Sequence, residues 1–225
     1  MNLKIILLIL IIASNAALSQ NLQVLLTNSK DIDPHRYEGV RGSPYFFNKF
    51  VKGNIISNGA ETFTDMILNY NAESSEFEII NEGKTVQLDK SIYMRVEILP
   101  EGNPELELDF PIIFQRGFNM KWLKKFGQMV YEGTTIKLIR DYTVQISSNE
   151  IQDVGKTLQN KRFVNLEEYF LLVEGELISI KLKKKKILNE LEHSNQLEIY
   201  VKENKIDIET ESGLRKILAY YETIK

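Results

Sequence analysis

Four times in this chain an Asn-Gly or Glu-Gly step separates two stretches in which apolar and polar residues alternate, and this pattern limits the fold more than any other feature. Asn58-Gly59 lies within NIISNGAETF, and Glu82-Gly83 parts FEII from TVQL. Glu132-Gly133 parts QMVY from TIKLIRDYTVQI, and Glu174-Gly175 parts YFLLV from LISIKL. Asn58-Gly59 is the strongest signal, because both its residues tolerate positive φ, and the Glu-Gly steps between extended stretches read as further tight hairpins. In IYMRVEI the alternation places Ile92, Met94, Val96 and Ile98 on one face and Tyr93, Arg95 and Glu97 on the other; ELELDF repeats it with Leu106, Leu108 and Phe110. Such alternation marks half-buried strands of antiparallel sheets with one wet face. With no helical segment between them long enough for a parallel crossover, the strands are predicted to form an antiparallel β-meander over residues 20–182, open or curled towards a barrel. The polar stretch QISSNEIQDVGKTLQNKRF interrupts the rhythm at residues 145–163 and is expected to be a long connection, with a sub-boundary within 147–162.

After Leu182 the period changes to that of a helix. Ile187, Leu188 and Leu191 form one stripe, Leu197, Tyr200 and Val201 a second, and Leu214, Ile217, Leu218 and Tyr221 a third. Ser194 and Thr210 stand where they can cap the second and third helices. Short amphipathic helices need a partner face, so residues 183–225 are expected to form a small helical unit packed on the sheet. The fold class that follows is α+β and β-rich.

Between the two periods lie Lys181 and Lys183, Lys184, Lys185 and Lys186. At 100° per residue, four consecutive lysines circle a helix rather than line one face of it, which suits a solvated strand-to-helix junction. The other reading is contact with an anionic surface, and lysines at a helix start oppose its dipole, so their placement there has a cost. Nucleic acid is not an expected partner, because the formal net charge is −3 and phosphate binding needs a strongly basic footprint.

The first residues carry an export pattern: Lys4, an apolar run from Ile5 to Ile12, then small residues with Ala17 and Ser19 at the −3 and −1 places. Cleavage after Ser19 is expected, making residues 1–19 a signal peptide and the mature protein periplasmic or extracellular. The apolar run is well short of the ~20 residues of a spanning helix, and no later run is long enough. The chain has no cysteine, which excludes disulfides, thiol catalysis and thiolate metal sites.

Candidate chemistry is sparse. Asp31, Asp33 and His35 in DIDPH would share one side of an extended backbone and could approach a cation, although Asp33-Pro34 equally starts a turn and no fourth ligand is visible. His193, the other histidine, falls at the end of a helical stripe. Glu105, Glu107 and Asp109 alternate along ELELDF; paired acids can hydrolyse a glycosidic bond, and the same row is also the ordinary wet side of an edge strand. DVGKT at 153–157 ends like a phosphate-binding loop, but Glu150 stands where its first glycine is required. Trp122, the lone tryptophan, lies near Phe118 and Phe126 and reads as a short amphipathic turn closing the sheet, or as an exposed recognition spot.

The order of GSPYFFNKFVKGNI, TDMILNYNAESSEFEI, NKRFVNLEEYFLLVEGELISIKLKKKKILNEL and VKENKIDIETESGLRKILAYY resembles an uncharacterised group of secreted Bacteroidota proteins. The resemblance implies an exported envelope protein, brings no activity, and assigns no site residue. The expectation is therefore a non-catalytic binding or scaffolding protein of the cell envelope, without cofactor, metal or catalytic residue. The alternative is an envelope hydrolase using the surface carboxylates or His35.

Overall fold

The computed structural model describes residues 23–153 and 156–225, and within these the side chains of 151–158 and 184–186 are not described. The export segment expected at residues 1–19 lies outside the described residues. The chain divides into two compact units, one ending at Pro111 and the other running Ile112–Lys225. It is strand-rich, antiparallel and finished by short helices, as the two hydrophobic periods predict.

The first unit contains β1 (Lys30–Asp31), β2 (Val40–Arg41), β3 (Val51–Ser57), β4 (Thr62–Asn71), β5 (Glu76–Asn81), β6 (Lys84–Gln87) and β7 (Tyr93–Ile98). Strands β3 to β6 follow one another as hairpins. Strand β1 adds to β6 and β7 returns to the far side of β3, every pairing antiparallel. The ladder does not close on itself, but it curls. Phe77 of β5 and Tyr93 of β7 meet with ring centroids 6.2 Å apart, and the Phe77 N–H donates to Tyr93 Oη at 3.3 Å. Val51, Ile55, Leu68, Tyr70, Ile79, Val96 and Ile98 fill the inside of that curl.

Three local expectations are corrected here. In β7 the inward face is Tyr93, Val96 and Ile98, while Met94 is 37% exposed. The cause is an irregularity opposite β3: Ile56 pairs Arg95 and the next residue, Ser57, pairs Tyr93, so Met94 is skipped and the faces exchange. ELELDF is no strand. Pro100–Gly102 and Pro104–Leu106 are 3-10 turns and Glu107 has φ 49°, because each proline lacks an N–H for a ladder and presets a turn φ. Asn58-Gly59 does close the β3–β4 hairpin, but within a longer loop whose positive φ falls on Ala60. Glu82-Gly83 and Glu174-Gly175 behave as predicted, both residues of each turn lying at positive φ.

The second unit contains β8 (Ile112–Gln115), β9 (Gly127–Glu132), β10 (Ile136–Asp153), β11 (Lys156–Val173) and β12 (Glu176–Ile180), neighbours in that order and antiparallel. Helices α1 (Lys184–Asn189), α2 (Ser194–Glu203) and α3 (Glu211–Ile224) follow. The polar stretch at 145–163 is not a loose connection. It is the outer part of the β10–β11 hairpin, whose register runs unbroken from Ile136↔Val173 to Asp153↔Lys156. A hairpin needs apolar alternation only where it meets a core, so its polar outer part reads as loop in the sequence.

The helices cover one face of this sheet. Ile187, Leu188, Leu191, Leu197, Val201, Leu214, Ile217, Leu218 and Tyr221 pack on Val130, Ile136, Leu138, Leu171 and Ile180. Thr210 caps α3, its Oγ1 accepting from the Gly213 N–H at 3.1 Å. Ser194 is instead the first residue of α2, and His193 before it, exposed and at φ 58°, is the capping residue. The other face buries Trp122 completely among Met129, Ile139 and Phe170, with Phe118 stacked on its ring at 5.1 Å. Trp122 closes the sheet from a 3-10 turn (Met120–Trp122) and is not an exposed recognition spot. Among the described residues no helix is long and apolar enough to cross a membrane.

Candidate functional site

In the first unit, the segment after β1 folds back over β5 and borders an open cavity of about 510 Å³. Its wall includes Asp31, Asp33, Arg36, Tyr37, Tyr45 and Lys84. The local cause is DIDPH. Asp33 Oδ1 accepts from the His35 N–H at 2.9 Å and its carbonyl from the Arg36 N–H at 3.3 Å, a side-chain-capped turn that reverses the chain. The reversal turns Arg36 inward.

Beneath Arg36 lies Glu78, on β5 and without solvent exposure. Glu78 Oε1 accepts from Arg36 Nη2 at 2.6 Å and from Asn71 Nδ2 at 2.8 Å, and Oε2 accepts from Tyr45 Oη at 2.8 Å. Arg36 Nη2 also donates to Tyr45 Oη at 3.0 Å. Asn71 Nδ2 extends the network to Tyr37 Oη at 3.0 Å, and that hydroxyl donates to Glu73 Oε2 at 2.9 Å. A buried carboxylate with this many donors is held in one place and one rotamer. Burial works against the charge on Arg36, but the Glu78 carboxylate outweighs it and raises the guanidinium above its ordinary value. Burial, reinforced by the hydrogen bond to Glu78, likewise keeps the Tyr45 phenol protonated far beyond its usual range. Two atoms of Arg36, Nε and Nη1, are buried and have no protein acceptor.

The residues singled out in the sequence do not converge. Asp31 faces Lys84 at 3.8 Å, Asp33 caps its own turn, and His35, 78% exposed, approaches Glu38 at 3.9 Å. Among the described residues no three His, Asp or Glu side chains gather as a metal would require. Glu105 pairs with Lys49 at 3.1 Å, and with ELELDF folded into turns Glu105, Glu107 and Asp109 no longer form a row on one strand face. Of DVGKT, Asp153 ends β10 and Lys156 begins β11, a strand on each side where a phosphate loop needs a helix; residues 154 and 155 lie outside the described residues. Lys181 and Lys183 are exposed, and the chain passes from β12 into α1 across them. The side chains of Lys184, Lys185 and Lys186 are not described.

The second unit carries a smaller polar cleft. Asp141, 7% exposed, receives Lys125 Nζ at 2.6 Å and lies 3.3 Å from Lys121 Nζ. Lys121 in turn sits 3.4 Å from the centre of the Phe170 ring. Thr143, Gln145 and Leu166 line the rest, around about 480 Å³. This geometry is an ion pair braced by a cation–π contact, which fixes the 3-10 turn against the sheet.

Sequence reasoning missed the Arg36–Glu78 network. Glu78 in FEII looks like any outward polar residue of an alternating strand, and its counter-charge lies 42 residues away. The one legible signal was DIDPH, read there for its carboxylates and histidine rather than for the arginine that follows. Comparison with protein-family models, with curated proteins and with solved structures returned no match for this chain.

Proposed function

We propose that this chain is an exported cell-envelope protein that binds or scaffolds a partner and does not catalyse. The observation that carries the reading is the cavity over Glu78. Its one buried ion pair is locked, with Glu78 held by Arg36, Asn71 and Tyr45. A general acid or base must instead be free to exchange a proton at the reacting atom. A concave wall of rigid, oppositely charged groups and phenol rings recognises a ligand by shape and hydrogen bonding. Of the acids and histidine a hydrolase would draw on, Glu105 lies beside Lys49, Asp31 beside Lys84 and His35 beside Glu38.

Export rests on the pattern of residues 1–19, and N-terminal sequencing of material from the producing cell is expected to begin at Gln20. A chain retaining Met1 refutes export. For binding, tagged protein incubated with envelope extract and with small-molecule panels is expected to retain a partner or gain thermal stability. Turnover of glycoside, ester or peptide substrates that disappears in Glu105→Gln or His35→Gln variants would establish the hydrolase instead.

A further inference from the structure

We propose that β12 (Glu176–Ile180) is the edge through which this chain self-associates: a second copy adds its own β12 antiparallel to the first, about a two-fold axis at Ile178. The inference uses a different surface from the cavity over Glu78 and does not rest on it. β12 ends the strand order of the sheet, and among the described residues no strand pairs its outer side. Hairpin geometry fixes which groups that side offers. The two-residue turn at Glu174-Gly175 makes Val173 and Glu176 a hydrogen-bonded pair, and bonded pairs then alternate along the ladder. Glu176, Ile178 and Ile180 therefore bond to β11, while the N–H and C=O of Leu177 and Ser179 point outward. Ser179 is exposed and Leu177 and Ile178 are half-buried, so solvent reaches this edge. An open edge is a template for another strand, and β12 contains neither a proline nor a bulge to deter one.

The charge pattern selects the partner. Residues 174–183 read EGELISIKLK, with two acids before an uncharged middle and two lysines after it. A two-fold axis sets this strand antiparallel to its own copy, which brings the acidic end of each beside the basic end of the other. Among the described residues Glu176, Lys181 and Lys183 are exposed and enter no ion pair, and Glu174 keeps 74% exposure beside Lys225. The register follows from the free backbone groups. The Lys181 C=O already accepts from the Lys183 N–H at 2.6 Å, which leaves Leu177 and Ser179 as the open rungs. Pairing Leu177 of each copy with Ser179 of the other uses both, and it sets the two Ile178 residues opposite each other. So short an edge makes a small interface, and the association is weak and concentration-dependent. Lysines at a strand end can also guard an edge against pairing, and the two roles predict opposite results.

The test uses the full mature chain and follows its mass by sedimentation from micromolar to millimolar concentration, at low and high salt. The mass is expected to rise towards twice the monomer with concentration, and less steeply at high salt, where the paired ends are screened. Ser179→Pro removes an outward N–H that β11 does not use, so the fold is expected to persist with the Trp122 fluorescence of wild type while self-association weakens at least about tenfold. Ile178→Cys supplies the only thiol in the chain. It is expected to form a disulfide between copies under mild oxidation, because a non-bonded antiparallel pair brings its Cα atoms to about 4.5 Å. Ile199→Cys, on an exposed position of α2, is the control and is expected to stay reduced. A wild-type mass that stays monomeric up to about millimolar concentration overturns the proposal and leaves the lysines as guards of the edge. Association as strong at high salt as at low, or unchanged in a folded Ser179→Pro, overturns it too. Should Ser179→Pro fail to fold, the thiols decide: crosslinking of Ile178→Cys no faster than that of Ile199→Cys overturns the proposal.

Discussion

One carboxylate, Glu222, ties the last turn of helix α3 to the start of β10, and removing it is a quantitative test of how that end of the second unit is held. Glu222 Oε1 accepts from the Thr135 N–H at 2.8 Å, the Ile136 N–H at 3.0 Å and the Thr135 hydroxyl at 3.0 Å. These donors start β10, and Ile136 is fully buried. Glu222→Ala strands both backbone donors. Each hydrogen bond to a charged group contributes about 1.5–3 kcal/mol when buried, and because Glu222 is only half-buried the low end applies, giving a loss of about 2–3 kcal/mol. Glu222→Gln keeps an acceptor oxygen without its charge and should cost about 1 kcal/mol. The assay is urea unfolding read by Trp122, the only tryptophan, buried in this unit and silent about the other. With a urea dependence of about 1–3 kcal/mol per molar, Glu222→Ala should lower the midpoint by about 1–2 M. The pH dependence has a fixed sign. Partial burial works to raise Glu222, but the N–H groups of Thr135 and Ile136 outweigh it and hold the carboxyl below its ordinary 4.5. Its contribution is therefore complete above that value and drains as pH falls through the lowered one, so the gap between wild type and Glu222→Ala should narrow on acidification below 4.5. A change below about 0.5 kcal/mol in Glu222→Ala, or a gap that stays constant on acidification, refutes the assignment.

Three further outcomes are expected. Gly213→Ala should destabilise the second unit by several kcal/mol or prevent its folding, since a Cβ there collides with the Asp207 carbonyl; a melting temperature within about 2 °C of wild type contradicts the packing. Glu78→Gln should cost the first unit about 3 kcal/mol, by stranding Arg36, and hydrogen exchange over β4 to β6 should quicken while Trp122 fluorescence stays unchanged. Replacing Lys183 to Lys186 by Gln should leave thermal melting within about 2 °C if these lysines only solvate the strand-to-helix junction, since solvated charges contribute little. Salt-sensitive co-sedimentation with outer-membrane vesicles that vanishes in that variant would assign the lysines to an anionic surface instead.

How much of this molecule was written locally can be judged element by element. The sequence alone determined the hairpins at Glu82-Gly83 and Glu174-Gly175, because the glycine of each pair takes positive φ without steric cost and the flanking alternation fixes the strands. It also determined the switch to helices after Leu182 and the Thr210 cap, since periodicity and capping act within a few residues. Tertiary structure decided the rest. The face that β7 turns inward was set by a register slip against β3, which no alternation inside IYMRVEI can reveal. The outer part of the β10–β11 hairpin is a strand pair only because each strand finds the other. ELELDF shows the reverse, an alternation overruled by a proline on its own N-terminal side. The candidate site is the extreme case. Arg36, Tyr45, Asn71 and Glu78 are polar residues that look solvated one by one, and only the fold that brings them within 3 Å makes a buried network of them. Turn and cap preferences are local free energies and are legible along the chain; charge pairing across 42 residues depends on a distance that exists only after folding.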